Sequence, residues 1–392
     1  MTRPAKKNQA EEKQAESFWQ KISRAAKSAG EPLFVMAPLA NVTDAAFRQL
    51  FAKYSRHLRA DGTMGGADVT WTEFVSADGL CLAHEKGRAA LMRDLVFSEA
   101  ERPIVAQLFT SNPEHMEKAA ALAAKLGFDG IDINMGCPDR GVEAGGAGAA
   151  MMKNPPLARE VIRAAKRGAS SLAGTIGPDG EPRVALPVSV KTRIGYNKNE
   201  LETWFPELLA EEPAVLTVHA RTRKEMSDVP ARWEHVKRAV EIRNELQKEK
   251  RTTDPAGIIS YPTLIFGNGD ALTLADAKQK AKETGADGVM IGRGMFGNPW
   301  FFDPLREAKL AAMPEPEMIR EKLTVMLEHT KLFEKLLGDL KNFAIMKKHY
   351  KAYVHGWDGA KELRVRLMET ESSDEVEKVV TDYLSTLSVG QK

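Results

Sequence analysis

Eight short apolar runs, separated for the most part by stretches with helical spacing, restrict the fold of this chain more than any other feature. They are LFVMAPLA (33–40), DVTWTEFV (68–75), IVAQLF (104–109), GIDINMG (130–136), VSVKTRIG (188–195), VLTVHAR (215–221), TLIFGNG (263–269) and GVMIGRG (288–294). Most are nearly continuous in apolar residues, as parallel strands buried on both faces must be. Helical patterns occupy 44–58, 113–127, 156–168, 200–212, 231–250, 273–285 and 301–310. For the helix at 113–127, Ser111 or Asn112 is the expected N-cap and Gly127 the stop. Strand–helix alternation repeated eight times predicts an α/β chain, and a (β/α)8 TIM barrel rather than a doubly wound sheet.

Pro314 and Pro316 interrupt this pattern, and from Glu317 onward the chain reads as helix throughout. The expected organisation is an N-terminal arm over 1–30, a barrel over 31–312 and an all-helical C-terminal domain over 317–392. A length of 392 residues suits a barrel of roughly 250 plus an appendage. The arm has mixed charge and lacks the apolar stretch of a secretory signal. Its Phe18, Trp19 and Ile22 would share one helical stripe, so a partly ordered arm and a solvated tail are both open. The stretches 168–187 and 251–262 read as loop insertions without an assigned role.

Only two cysteines occur, Cys81 and Cys137. They can form neither a disulfide framework nor a cysteine-rich zinc site, so a reducing, cytoplasmic setting and no metal are expected. No apolar run approaches the roughly 20 residues of a membrane span. A formal net charge of +2 does not by itself announce a polyanion. Locally, Lys341, Lys347, Lys348, Lys351, Lys361, Arg364 and Arg366 face only Asp358 and Glu362, a net of +5. On charge alone this segment reads as a solvated helix face before it reads as a phosphate-binding patch.

The active site of this fold lies at the C-terminal ends of the strands, and reactive residues collect there. Glu73, Gln107, Asn134, Cys137, Lys191, Arg193, His219 and Arg221 all fall at or near strand ends. The last two strands end in Gly267-Asn268-Gly269-Asp270 and Gly292-Arg293-Gly294. Glycine allows backbone N–H groups close to a phosphate, and the loops after these two strands often hold one. Arg293 supplies a charge-assisted donor. A phosphate-bearing cofactor is therefore expected. Cys137, between Gly136 and Pro138 in a glycine-rich neighbourhood, reads as a residue on a mobile, solvent-reachable loop rather than as core. Lys191 on a buried strand needs a partner, because an unpaired buried ammonium is costly, and a ligand is the expected one. His219 is open between a satisfied core histidine and a ligand contact.

MAPLANVTDAAFR (36–48), WTEFVSA (71–77), AQLF (106–109), INMGCP (133–138), VKTRIG (190–195), VHARTR (218–223), FGNGD (266–270) and IGRG (291–294) resemble, in order and spacing, the motifs of the tRNA dihydrouridine synthase family. MKKHYKAYVHGWDGAKELRVRLM (346–368) is similar to that family's helical domain. The resemblance covers roughly 33–370. It implies FMN at the barrel mouth, with Pro38, Leu39 and Ala40 against the flavin ring and Gln107 and Lys191 at its polar edge. His219, Asn268, Gly269, Asp270, Gly292 and Arg293 would hold the phosphate end. It further implies NADPH as reductant, tRNA as substrate, hydride delivery to C6 of a uracil and a proton from Cys137 to C5. Asn134 would orient the base, with Arg221 also on the substrate side. A tRNA partner turns the basic segment into an expected phosphate contact, with Lys347, Lys348, Lys351 and Arg364 as candidates. Nothing demands an oligomer, and a monomer is expected.

Departures occur after HARTR, where KEMSDVPARW (224–233) carries Ser227 and Val229 at places the family usually gives to Tyr and Gly. Arg232 stands where an acid is usual, and 57–66 looks long. These changes bear on which uridine is reduced. The rival readings are an FMN barrel acting on a free pyrimidine, similar to dihydroorotate dehydrogenase, and a non-catalytic RNA-binding relative. The basic helical domain argues against the first; Cys137, Lys191 and both glycine loops argue against the second.

Overall fold

The structure is a computed structural model that describes residues 17–59, 62–177, 180, 182–253 and 262–389. Eight strands form one parallel sheet: β1 (Leu33–Met36), β4 (Thr70–Ser76), β5 (Ile104–Phe109), β6 (Gly130–Met135), β7 (Val188–Arg193), β8 (Val215–His219), β9 (Leu264–Asn268) and β10 (Gly288–Ile291). Each strand from β4 to β10 pairs with the next in sequence, and β10 pairs with β1. A parallel bridge between Val35 and Val69 joins β1 to the start of β4 and closes the barrel. The remaining two strands, β2 (His57–Leu58) and β3 (Met64–Gly65), make a small antiparallel hairpin. The helix read over 44–58 thus ends early, at Tyr54, and the described ends of the long 57–66 stretch pair as this hairpin.

The barrel's helices are α2 (Ala45–Tyr54), α3 (Ala77–Leu82), α4 (Glu85–Asp94), α5 (Pro113–Leu126), α6 (Arg140–Ala144), α7 (Pro155–Ala169), α8 (Leu201–Leu209), α9 (Glu234–Thr253), α10 (Leu274–Thr284) and α11 (Pro304–Ala311), preceded by α1 (Phe18–Ala29). Asn112 caps α5 by accepting from His115 N–H, and Gly127 ends it in the left-handed conformation. In the 168–187 insertion an antiparallel bridge joins Ile176 to Pro182. Most of the 251–262 insertion lies outside the described residues. Beyond α11 come α12 (Glu315–Leu337), α13 (Met346–Tyr353), α14 (Ala360–Met368) and α15 (Ser373–Val389). They gather a separate apolar cluster that includes Leu323, Phe333, Tyr350 and Leu367 together with Ala46 and Leu50 of α2. No described helix is long and apolar enough to cross a membrane.

Residues 17–30 form an ordered element. Ser17 and Gln20 make a reciprocal capping box, and Gly30 ends α1 at φ 67°. Trp19 is 2% exposed and packs against Trp71 and Phe266, with ring centroids 5.8 and 5.6 Å away. Its cluster contains Leu33, Val69, Val105, Val215 and Leu264, which lie at or just before the starts of their strands. Helix α1 therefore covers the N-terminal end of the barrel, and the apolar floor it completes leaves the opposite end for polar side chains.

Candidate active site at the barrel mouth

Period-two alternation along the strands decides which side chains turn inward. On β5 to β9 it directs Gln107, Asp132, Asn134, Ser189, Lys191, Thr217, His219 and Asn268 to the interior. The register sets them in rows. Gln107 lies beside Asp132, Asn134 beside Lys191, and His219 between Arg193 and Asn268.

A hydrogen-bonded chain crosses this layer. Ser189 Oγ donates to Asp132 Oδ1 at 2.6 Å, and Gln107 Nε2 donates to Asp132 Oδ2 at 2.6 Å. Asn134 Nδ2 donates to Gln107 Oε1 at 3.2 Å. Asn134 Oδ1 accepts from the backbone N–H groups of Gly136 and Cys137, at 3.1 and 2.9 Å. Gln107 therefore has its carbonyl and one amide hydrogen committed, and Asn134 holds the turn that carries the thiol. Burial lifts the Asp132 carboxyl to about 6, against the hydrogen bonds from Gln107 and Ser189. Asp132 was not among the residues expected at the site. Its signal in the sequence was an acid in the same inward register as Asn134.

Cys137 is half-buried, and burial pushes its thiol above the ordinary range while Lys191 and Arg193 pull the other way. Its loop is tied to its neighbours by hydrogen bonds. Ala149 N–H donates to Cys137 O at 2.9 Å, and Arg193 Nε donates to Gly136 O at 2.8 Å. Asp139 caps α6, and Glu143 of α6 is ion-paired with Arg223 from the loop after β8. The glycines permit close approach rather than looseness: a Cβ on Gly148 would sit 2.7 Å from Cys137 O.

Lys191 makes no hydrogen bond or ion pair with the described residues, and burial with Arg193 nearby pushes its ammonium down to about 8. Burial also holds His219 well below its ordinary value, helped by Arg193, Lys191, Arg221 and Arg293. The imidazole is therefore neutral near pH 7. Arg221 Nη1 lies 3.1 Å from His219 Nε2; a guanidinium only donates, so Nε2 accepts and the proton sits on Nδ1. Arg221 is 2% exposed and also bonds Val229 O and the carboxylate of Asp270. These bonds tie the residues after β8 to the Asp270 turn. Asp270, in the left-handed region at φ 50°, accepts from Ala231 N–H and pairs with Arg293 at 2.6 Å. Its charge is thus committed to the two arginines. Asn268 Nδ2 donates to Met290 O at 2.8 Å.

Gly269 (φ 123°) admits no side chain, since a Cβ would meet Ala231 Cβ at 2.8 Å. At Gly292 the space is open, with Ala37 Cβ and Leu39 Cδ2 each 3.9 Å away. Pro38 is buried, Leu39 partly buried and Ala40 exposed, so this loop borders the same opening.

The basic segment is less basic in three dimensions than in sequence. Lys341 is ion-paired with Glu73 and Asp94, and Arg366 with Asp382. Arg364 is partly buried and donates to Val354 O at 2.6 Å. Lys348 and Lys351 are exposed, Lys347 is partly so, and none of the three has an ion pair among the described residues.

The described residues contain no group of three or more metal-ligating side chains. The profile of the family described as "Dihydrouridine synthase (Dus)" matches residues 35–388. The chain is 34% identical over 370 residues to a "Probable tRNA-dihydrouridine synthase" of Staphylococcus aureus (strain MRSA252), covering 94% of this chain and 96% of that protein. It is 33% identical over 370 residues to "Probable tRNA-dihydrouridine synthase 2" of Bacillus subtilis (strain 168), covering 94% and 97%.

Proposed function

The chain belongs to the dihydrouridine synthase family, and from that premise we propose that it reduces the C5–C6 bond of uridines in tRNA, with bound FMN, NADPH as reductant and Cys137 as proton donor. The observation that carries the reading is that Asn134 stands beside Lys191 in the strand register and holds, through its side-chain oxygen, the backbone turn of Cys137 at the C-terminal strand ends.

The residues present fit a flavin phosphate ester. Lys191 lacks an acceptor among the described residues, the backbone at Gly292 is open, and Arg293 is held by Asp270 with its side chain 55% exposed. Pro38, Leu39 and Ala40 would lie along the ring. Gln107 has one amide hydrogen left for its edge, and Lys191 brings a charge to the same edge. Arg293, the Nδ1–H of His219 and the backbone around Gly269 and Gly292 would hold the phosphate. Asn268, Asp270 and Arg221 act behind these groups by fixing their positions. FMN, once bound, supplies hydride.

The protein's part is placement and one proton. Its raised pKa keeps Cys137 protonated at neutral pH, as a donor to C5 requires. The target base has to leave its stack to reach the mouth, at a cost of a few kcal/mol. Lys347, Lys348 and Lys351 would offset that cost by holding the RNA backbone. The exposed lysines also favour tRNA over a free pyrimidine as substrate.

The test is dihydrouridine formation on unmodified tRNA with NADPH, comparing wild type with Cys137→Ala and using free uridine as control. Product in tRNA alone, falling about 10²- to 10⁴-fold in the variant, is expected from loss of a general acid. Product from free uridine at a similar rate would overturn the substrate assignment, and an unaffected variant would overturn the role of the thiol.

A further inference from the structure

Lys341 leaves the turn between α12 and α13 and enters an acidic pocket of the barrel. Its Nζ pairs with Glu73, in the middle of β4, and lies 2.8 Å from Asp94 Oδ1 at the end of α4. Its side chain is 14% exposed and that of Glu73 7%. The other oxygen of Glu73, Oε1, accepts from the backbone N–H of Asn41. Asn41 is in the left-handed conformation at φ 53° and directly follows Pro38, Leu39 and Ala40. Asp44, near Glu73, is lifted to about 7 by burial and by that neighbour's charge. One lysine thus touches, through a single carboxylate, the loop that borders the mouth. Six residues further on begin the cations of α13.

We propose that Lys341 is a positioning residue that links the seating of tRNA on α13 to the loop Pro38–Asn41 through Glu73, an inference that rests on the functional reading above. Another ion pair between these parts, Lys53 of α2 with Glu328 of α12 at 2.7 Å, touches no mouth residue and serves as the comparison.

The experiment measures kcat and KM for unmodified tRNA, FMN affinity by flavin fluorescence and the melting temperature in Lys341→Met, Lys341→Arg, Glu73→Gln, the Lys341→Met/Glu73→Gln pair and Lys53→Met. Lys341→Met should lower kcat about tenfold and weaken FMN severalfold, and Lys341→Arg should restore most of both. The double variant should lose no more than the worse single one, because both changes cut the same link. Lys53→Met should change only the melting temperature. An active wild type in which Lys341→Met lowers only the melting temperature, or in which the two losses multiply, would overturn the proposal alone. A wild type that neither binds flavin nor forms dihydrouridine would overturn the functional reading and the proposal with it.

Discussion

The carboxamide oxygen of Asn134 accepts a hydrogen bond from the backbone N–H of Cys137 at 2.9 Å, three residues on. The same oxygen takes the N–H of Gly136, and the amide nitrogen is tied to Gln107. Asn134 is thus committed to the protein through its oxygen and one amide hydrogen. Replacing it with Ala frees the turn without removing the thiol. A misplacement of about 1 Å can cost a rate factor near 10². Asn134→Ala should therefore lower kcat by about that factor while FMN content stays near wild type. A variant that keeps its kcat would show that the turn is held well enough by Arg193 and Ala149.

The thiol of Cys137 titrates above its ordinary value because it is buried. A donor with a raised pKa stays competent as pH climbs and fails only beyond the raised value. The alkaline limb of kcat should therefore lie higher than for a free thiol. Iodoacetamide, which needs the thiolate, should modify Cys137 slowly at pH 7. Cys81 is also raised by burial, so neither cysteine should react quickly. Rapid labelling of Cys137 at neutral pH would contradict this.

His329 and His349 meet edge to face, ring centroids 4.6 Å apart, in the helical region, both buried, against Phe47 of α2. Burial holds His349 down to about 4 and His329 well below its usual value. Both folded-state values lie below the unfolded value, so the unfolded chain binds more protons as pH falls. Stability from His349 is complete above about pH 6.5 and is lost on the way down to about 4, at roughly 1.4 kcal/mol per pH unit, and His329 acts in the same direction. Asp44 and Asp132 act oppositely, since their folded values are raised to about 7 and about 6 and favour the native state toward acid. Melting curves of His349→Leu should lose less stability than wild type between pH 6.5 and 4. Parallel curves would remove the histidines from the account.

Lys347, Lys348 and Lys351 are the cations of the basic segment expected to meet RNA phosphates. Changing all three to Gln removes about three phosphate contacts. The slope of log KM for tRNA against log salt should flatten by roughly 2 to 3, with kcat little changed. An unchanged slope would mean that the RNA lies elsewhere.

The strands were legible because they are buried on both faces, which makes each a continuous apolar run. Inward alternation along them was enough to bring Gln107, Lys191, His219 and Asn268 to one end. Residues 77–94 gave no clear period, and α3 and α4, the latter with no buried residue, appear only in the structure. The functions of Lys341, Arg221 and Arg364 could not be read, because each depends on partners distant in sequence or on backbone oxygens. Lys341 finds Glu73 across 268 positions. A charge count assigns all such cations to the surface; only folding separates those already neutralised from those still available.

Trp19 and the helix around it fill the N-terminal end of the barrel with apolar side chains. Access to the polar layer is thereby left to the opposite end, where Cys137, His219 and Arg293 lie at or just after the ends of their strands. Under the proposed reaction, nicotinamide and uracil both arrive at that end, and each is expected to compete with the other for it.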